Sequence, residues 1–457
     1  MAVNTEVKTV ASLGFLYAIR MLGLFMVLPV MTVYGANYSG ASAASLGLAL
    51  GIYGLSQSLL QIPLGLCSDF IGRKPVIVGG LLIFALGSVV AALADSVTGL
   101  IIGRALQGAG AIASTTMALV ADLTSEQNRS KAMAAIGASI GFSFMLAMVL
   151  GPAISGAWGL SGIFVVTALL ALLGCLIVLF VVPTPKRIDA SARRESGAVP
   201  ALLWSTLRRL DLARLNFGIF VLHASLTALF VVVPGMLLAR MQLPASAHWK
   251  IYLPLLLIAF LMAVPLMMMA ERRQRSKEAF VLAVAALALA LLFTALSPAS
   301  AVYLLSGLFV FFIGFNLLEA QLPSMVSKTA PAGGKGTAMG IYSSAQFIGA
   351  FVGGSLGGWI AERWGLDALL LSLVVLTAAW FCVALSMPRL RNLSSLCLPA
   401  RDSVAQLDLC AREGIEDAIY VREDQLLYLK VDRKRLDLDA LHELLEAHRV
   451  DANSAQV

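Results

Sequence analysis

Two ionisable side chains, Glu319 and His223, lie within long apolar stretches of this sequence. A carboxyl group in such surroundings is stable when neutral and ionises when water reaches it, so Glu319 is suited to carrying a proton. A fixed ion pair near the end of a helix is the competing interpretation for Glu319. His223 could titrate near neutral pH, although a single histidine in a helix is more often a hydrogen-bonded packing residue.

Two arginines, Arg20 and Arg104, also lie in apolar stretches. A guanidinium group is costly in lipid, so Arg104 is expected to face the protein interior and to have partners there. It could serve only to tie helices together through backbone carbonyls. Arg20 could instead lie near one end of its helix and extend its charged head to the membrane surface.

The polar stretch Gly65–Lys74 separates two apolar runs of about 20 residues each, the length that a helix needs to cross a bilayer. It contains one acid, Asp69, and two basic residues, Arg73 and Lys74. Gly72 supplies backbone freedom for a tight turn, and Gly65 lets another helix approach closely. The stretch therefore predicts a short loop at a membrane surface, which we call the Asp69 loop.

Hydropathy divides the sequence before residue 389 into twelve apolar segments, each long enough to span a membrane as a helix. We number them TM1 to TM12 in chain order: residues 10–34, 43–67, 75–94, 97–121, 132–156, 160–183, 212–238, 249–270, 278–297, 301–326, 337–361 and 367–387. A long polar linker, residues 184–211, separates TM6 from TM7. We therefore expect two halves of six helices, residues 1–183 and 212–388. A weak internal match at an offset of 206, between Lys131–Gly151 and Thr337–Gly357, agrees with a repeat.

Basic residues are concentrated in alternate connections between the segments, and such connections face the cytoplasm. Both termini are therefore expected to be cytoplasmic. Half of the 26 acids follow residue 400: residues 401–457 hold 13 acids against 8 Lys or Arg. This change of composition predicts a separate cytoplasmic domain at residues 389–457.

The pattern in residues 389–457 predicts the order β-α-β-β-α. The strands are expected at Ser394–Leu398, Asp417–Val421 and Leu426–Val431, and the helices at Arg401–Ala411 and Asp437–His448. That order is typical of a small ferredoxin-like α+β domain with two helices on one sheet. No fourth strand is evident in residues 451–457.

The composition excludes an ordinary soluble protein. Of the 457 residues 59% are hydrophobic and 13% are charged, and the mean hydropathy is +0.87, whereas soluble domains carry about 25% charged residues. The five cysteines form no C-x-x-C pair, which argues against a structural disulfide, a zinc site or delivery of a heavy metal by the tail. We expect no cofactor, no metal and no nucleic-acid partner, and a protein that is not an enzyme.

Several motifs together resemble those of the major facilitator superfamily of secondary transporters. The Asp69 loop is similar to the G-x-x-x-D-x-x-G-R-K signature between helices 2 and 3, and Arg104 with Gly108 is similar to the R-x-x-x-G motif of helix 4. The stretch around Arg20 is similar to the helix 1 element of the drug:proton antiporters. The resemblance implies an all-α polytopic membrane protein of twelve helices, and it implies a role for Arg104 in proton coupling.

A further motif in TM5 resembles the G-x-x-x-G-P-x-x-G-G element of antiporters, with Ala147 and Ser155 in place of two glycines. A Gly-Pro pair late in a spanning helix permits a bend, and small residues allow close packing against the opposite half. An ordinary Gly-Pro kink is the alternative. The expected helix-packing residues are Gly108, Gly141, Gly151, Pro152 and Gly156.

The resemblance also implies a conformational latch that joins the two halves on the cytoplasmic side. In the family's arrangement Asp69 meets the start of TM11 near Gly336, while Arg73 pairs with the acid that ends TM4, here Asp122. The expected latch residues are Gly65, Asp69, Gly72, Arg73, Lys74, Asp122 and Arg129.

The function implied by the resemblance is proton-coupled efflux of a small amphipathic or drug-like compound across the bacterial inner membrane, by alternating access. The expected partners are a small-molecule substrate, protons and the lipid bilayer. Glu319, Arg104, Arg20 and His223 are the candidates for proton coupling. Two alternatives are a transporter-like sensor and a metabolite carrier without antiport, each regulated by the C-terminal domain. The sequence does not identify a protein partner of that domain.

Overall fold

The computed structural model describes residues 2–124, 126–184, 199–273, 275–296, 300–388, 393–400, 407–422, 425–432, 435–437, 441 and 443. Nine helices in these ranges are long and apolar enough to cross a membrane. Two of the nine each contain two predicted segments, and TM4 consists of two shorter helices, so the twelve segments are all helical. The predicted fold class, a polytopic helical bundle followed by a small sheet, is confirmed.

The helices before the linker make up TM1 to TM6. They are Ala2–Phe25, Met31–Tyr34, Ala43–Ile71, Arg73–Ala92, Val97–Ala109, Ala113–Leu123 and Glu126–Phe180. A short helix, Pro200–Leu207, lies in the linker, and we call it the linker helix. The helices after it are Leu210–Met241, Trp249–Arg272, Ser276–Leu296, Ala301–Thr329 and Lys335–Leu385.

The two longest helices each turn at one glycine. Gly159 separates TM5 from TM6 with φ 67°, and Gly365 separates TM11 from TM12 with φ 86°. An L-residue with a side chain rarely adopts this backbone conformation, which interrupts the helix at each position. These two glycines have the same separation of 206 that relates the two sequence segments matched above. The equivalent breaks support an internal repeat of six helices.

The TM4 helix is interrupted at Gly110, between Val97–Ala109 and Ala113–Leu123. A helix that stops inside a bundle leaves carbonyl groups without their usual partners. The Gly110 carbonyl faces TM1, where Arg20 Nη2 lies 3.4 Å away. The break therefore creates a polar position in an otherwise apolar half.

The two halves are in direct backbone contact along TM2 and TM11. A Cβ on Gly47 would overlap the carbonyl oxygen of Gly354, and a Cβ on Gly358 would overlap the carbonyl oxygen of Ala43. Glycine at these positions is required because two helices cannot approach so closely with side chains between them. At one end of this contact, the Ala44 N–H donates to Glu362 at 2.7 Å.

The C-terminal sheet has three antiparallel strands, β1 (Ser394–Pro399), β2 (Ile415–Val421) and β3 (Leu426–Val431). Their spatial order is β1-β3-β2, and β3 has the predicted bounds. The helix expected at 401–411 is wrong at its end, because residues 409–411 form one turn of 3-10 helix. Residues 401–406 lie outside the described residues. Most of the second expected helix, 437–448, also lies outside them.

Candidate functional site

Arg73 begins the TM3 helix, and its guanidinium group is enclosed by three side chains. Its Nε donates to Asp122 Oδ2 at 3.0 Å, its Nη1 donates to Ser68 Oγ at 2.6 Å, and Nη1 also lies 2.6 Å from Asp69 Oδ1. The side chains of Arg73 and Asp122 are 1% and 0% exposed. Because both charges are desolvated, each depends on the other for compensation. The cluster ties the ends of TM2 and TM4 to the start of TM3.

The remaining latch residues surround this cluster. Gly72 has φ 103° and lies between the TM2 and TM3 helices, and Lys74 is the second residue of the TM3 helix. A Cβ on Gly65 would lie 2.9 Å from the Ser114 hydroxyl of TM4. Arg129 belongs to a helix by its backbone, but its side chain lies outside the described residues.

Among the described residues no hydrogen bond or ion pair joins the Asp69 loop to the start of TM11. Phe70, next to Asp69, is 90% exposed. Among the described residues the start of TM11 is bonded instead to the linker, where the Val199 N–H donates to Thr337 Oγ1 at 2.8 Å. The contact expected between Asp69 and Gly336 therefore stays a prediction.

Arg20 is buried in the first half, with 3% of its surface exposed. Its Nη2 donates to Gln57 Oε1 at 2.7 Å and to Tyr53 Oη at 3.0 Å, in addition to the Gly110 carbonyl. The interpretation that Arg20 extends to the membrane surface is therefore wrong. Sequence reasoning did not identify Tyr53 or Gln57, because a Tyr and a Gln one helical turn apart carry no distinctive pattern.

Arg104 is 1% exposed and also lies near Tyr53. Its guanidinium carbon is 4.9 Å from the centroid of the tyrosine ring. Its Nη1 donates to Gln107 Oε1 at 2.8 Å, and its Nε donates to the Ala49 carbonyl at 3.3 Å. Gln107 in turn donates to Ser88 at 2.8 Å. Within the described residues neither Arg104 nor Arg20 has a carboxylate within 4.0 Å. The interior partners expected for Arg104 are present, and the recorded partners of both arginines are neutral groups.

Glu319 and His223 meet in the second half, and Gln346 of TM11 joins them. Gln346 Nε2 lies 2.8 Å from His223 Nε2 and 3.4 Å from Glu319 Oε1. The direct distance from His223 Nε2 to Glu319 Oε2 is 3.9 Å. The Glu319 side chain is 38% exposed and the His223 side chain 14%, while Glu319 Oε2 itself is buried. The structure thus places two predicted residues from TM7 and TM10 at one site, together with Gln346, which the sequence did not indicate.

An aromatic cluster of four rings lies beside this site and connects the two halves. Phe25 and Phe144 come from TM1 and TM5, and their centroids are 5.1 Å apart. Phe144 lies 6.4 Å from Phe230 of TM7 and 6.5 Å from Phe312 of TM10. Phe230 and Phe312 are two helical turns from His223 and Glu319, and therefore share their helix faces.

The expected packing residues make contacts of three kinds. A Cβ on Gly108 would overlap the TM2 carbonyl of Tyr53, and a Cβ on Gly151 would lie 2.5 Å from the TM1 carbonyl of Met26. Only Gly156 approaches the opposite half, at Ser246 before TM8. A Cβ on Gly141 would meet nothing within 4 Å, so the close helix approach expected at Gly141 is wrong. Pro152 lies within the helix that continues to Gly159.

In the ranges that the structure covers, no three His, Cys, Asp or Glu side chains lie together as metal ligands would. No disulfide joins the described cysteines. The chemistry at hand is therefore that of the side chains themselves: a carboxyl group and an imidazole joined by an amide, two buried guanidinium groups, and the Arg73 cluster.

Known transporters resemble this chain in sequence and in fold. The sequence matches the profile of the Major Facilitator Superfamily over residues 13–354 and again over 215–409. It is 46% identical to the inner membrane transport protein YajR of Escherichia coli (strain K12) over 434 residues, which are 94% of this chain and 95% of that protein. It is 34% identical to the uncharacterized transporter BU466 of Buchnera aphidicola, over 76% of this chain and 89% of that one. The solved structure of the nucleoside transporter NupG has the same fold, with TM-score 0.67 and 15% identity, over 83% of this chain and 99% of that one.

Proposed function

Because the chain belongs to the Major Facilitator Superfamily and is a multi-pass secondary transporter of the inner membrane, we propose that it couples proton influx to the efflux of a small amphipathic or drug-like compound. The observation that carries this proposal is the contact of Glu319 and His223 with Gln346. A proton-coupled carrier needs a group that exchanges protons with water and whose protonation changes a contact between moving elements. These three side chains meet both requirements.

The Gln346 amide can donate one N–H to the imidazole and one to the carboxylate, which suits an ionised Glu319 and a neutral His223. The direction of each bond depends on the tautomer and on the orientation of the amide. A proton on His223 Nε2 removes that acceptor and breaks its bond to Gln346. A proton on Glu319 leaves a carbonyl oxygen as acceptor, but the bond from Gln346 is then no longer charge-assisted and weakens. In either case one tie of the TM11 helix to TM7 or TM10 is weakened or lost.

Alternating access is supported by the uneven contact between the halves. Gln61 of TM2 donates to Ser344 of TM11 at 3.0 Å, and the glycine contacts extend from there to the end of TM2 remote from the Asp69 loop. In the Asp69 loop Phe70 and Ile71 are exposed, whereas Ser68 and Arg73 are buried. With this loop in the cytoplasm, as the basic residues predict, the conformation is open inward. Formation of the latch at Asp69 and Gly336 would then accompany opening to the outside.

The substrate class is supported by the aromatic cluster. Phe25, Phe144, Phe230 and Phe312 form ring contacts at the junction of the halves. Phe230 and Phe312 are buried in this conformation, two helical turns from His223 and Glu319, and would meet a substrate when the halves move apart. Aromatic surfaces of this kind contribute large apolar contact area with little demand on the shape of the ligand. A compound with an apolar body and a polar group fits both features.

The test is proton movement in energised everted vesicles that contain the full chain. A panel of lipophilic cations, sugars and amphipathic drugs is added, and collapse of ΔpH is followed by fluorescence quenching. We expect collapse with at least one amphipathic compound in the wild type and none in Glu319→Gln. Asp367→Asn is the matched control, because Asp367 is an exposed acid near the break between TM11 and TM12. It should behave as the wild type does.

Equal ΔpH responses in Glu319→Gln and the wild type would refute the role of Glu319. Transport of a panel compound without any proton movement would refute antiport and favour a metabolite carrier. The sensor alternative predicts binding without net flux. Substrate-induced change in protein fluorescence, with no accumulation of labelled compound in the vesicles, would favour the sensor.

A further inference from the structure

The C-terminal sheet packs one of its faces on the loop between TM10 and TM11. Side chains alternate across a strand, so Leu427, Leu429 and Val431 of β3 lie on one face and form the core of the domain. Tyr428 lies on the opposite face. There it forms an apolar cluster with Val421 of β2 and with Ala332 of the loop. The loop between TM10 and TM11 therefore covers the face of the sheet that carries Tyr428.

Two polar contacts fix this packing. Lys430, on the same face as Tyr428, donates through Nζ to the Ser327 carbonyl at 2.8 Å and is 4% exposed. Ser327 lies in the last turn of the TM10 helix, where carbonyl groups lack helical partners and a cation is favourable. Asp417, the β2 residue paired with Lys430, accepts the Ala332 N–H at 3.1 Å. The sheet thus contacts both the end of TM10 and the loop that follows.

The linker holds the same loop from another side. The Val199 N–H donates to Thr337, and Leu202 of the linker helix lies 3.5 Å from the position of a Cβ on Gly334. Arg209, which follows the linker helix, lies 3.9 Å from Asp417. The start of TM11 and the loop before it are therefore bounded by the linker and by the C-terminal sheet.

We propose that the C-terminal domain is a clamp: docked on the TM10–TM11 loop through Tyr428, Lys430 and Asp417, it keeps the start of TM11 away from the Asp69 loop. This proposal rests on the alternating-access cycle proposed above. TM11 carries Gln346 at the proton site and Ser344 at the contact with TM2, so an element that fixes its first turn acts on both. Release of the domain frees TM11 for the latch, and docking slows the change to the outward-open conformation.

Two native cysteines report docking without any substrate. Cys397 of β1 lies directly across from Tyr428 in the sheet and packs at the docked face, whereas Cys410 is exposed on the same domain. In the full chain, purified in lipid nanodiscs, maleimide labelling is followed by peptide mass spectrometry. We expect Cys397 of the wild type to react at least tenfold more slowly than Cys410. Equal rates would refute docking.

Variants on both sides of the contact test its cause. Asp417→Asn weakens the bond to the loop, with Glu413→Gln as an exposed acid-to-amide control in the same domain. Gly333→Ala changes only the loop and leaves the sequence of the domain intact. It should disturb the contact because Gly333 has φ 63° and a Cβ there would lie 3.3 Å from the Tyr428 ring. Both variants should speed Cys397 labelling several-fold relative to Cys410, and Glu413→Gln should not. No change in either variant would refute the assigned contacts.

The clamp itself is tested by cross-linking the latch. Phe70→Cys and Lys335→Cys are introduced together in a chain without its native cysteines, and disulfide formation under mild oxidation is measured. Adding Gly333→Ala or Asp417→Asn should raise the cross-linked fraction several-fold. If a variant speeds Cys397 labelling in the chain with native cysteines but leaves the cross-linked fraction unchanged here, the clamp is refuted. Neither assay uses transport, so failure here leaves the proton-coupled function standing, and failure of the ΔpH assay leaves docking standing.

Discussion

Docking of the C-terminal domain should depend on pH through one lysine. Burial, with further contributions from the charges of Lys335 and Arg209, lowers the pKa of Lys430 from 10.5 to about 8, against an opposing effect of Asp417. In an undocked domain this side chain returns to water, where its pKa is the ordinary one. The docked state therefore binds its proton less tightly than the undocked state. Docking must strengthen as the pH rises above about 8 and stay constant well below it.

The size of the effect follows from the same values. The gap between a pKa of about 8 and one of 10.5 is worth about 3 kcal/mol, and Lys430 is sufficiently enclosed for most of this to apply. Only part of it is reached below pH 9. Between pH 7 and pH 9 we expect the docking equilibrium constant to rise roughly tenfold.

The assay is the labelling rate of Cys397 in the full chain from pH 7 to pH 9. Thiol reactivity itself rises with pH, so each wild-type rate is divided by the rate of Lys430→Met at the same pH. The methionine keeps the length of the side chain and has no titrating group. The ratio should fall roughly tenfold across this range, most of it above pH 8. A flat ratio, or one that rises with pH, would refute the reasoning.

Three further predictions concern the membrane part. Asp122→Asn should reduce the free energy of unfolding by up to about 3 kcal/mol and so lower the unfolding temperature of the purified protein. Arg73 would lose its fully buried counter-charge and keep only Asp69, which is partly exposed. An unchanged unfolding temperature would contradict the importance of the Arg73–Asp122 pair. Gly354→Ala places a Cβ against the TM2 backbone and should cost about 1–3 kcal/mol, whereas Gly79→Ala, with nothing within 4 Å, should be neutral or slightly stabilising in the same melting experiment. Gln346→Leu keeps the bulk of the side chain and removes both polar contacts, so the pH profile of ΔpH collapse should shift while protein yield stays unchanged; an identical profile would remove Gln346 from the coupling mechanism.

The membrane topology was predictable because a bilayer requires long apolar helices, and the sequence shows each of them. The pairing of Arg73 with Asp122 was also accessible, since motif spacing places both at the same ends of neighbouring helices. The interruption of TM4 at Gly110 was not, because small residues continue through it without a proline. Gly159 and Gly365 could have been located from the offset of 206, had the internal match been extended by a few residues.

The partners inside the bundle depended on tertiary packing. Gln346 and Tyr53 are ordinary residues in apolar helices. The sequence has no periodicity that indicates which neighbouring helix their side chains contact. Docking of the C-terminal domain was equally unpredictable, because a lysine in a strand is usually solvated and the sequence does not indicate that Lys430 is buried. Its neighbour across the contact is a backbone carbonyl of Ser327, which has no sequence signature at all.

The contact of TM2 with TM11 also bears on how easily the halves move. Most packed helices interlock, because ridges of side chains on one helix fit the grooves of the other. At Gly47, Gly354 and Gly358 the two surfaces are smooth backbone, with no side chain that must leave a groove when one helix turns against the other. Rotation at these three glycines therefore requires no side chain to leave a groove, and the junction can serve as a pivot between the halves. Polar contacts at its two ends, Ala44 with Glu362 and Gln61 with Ser344, limit that rotation.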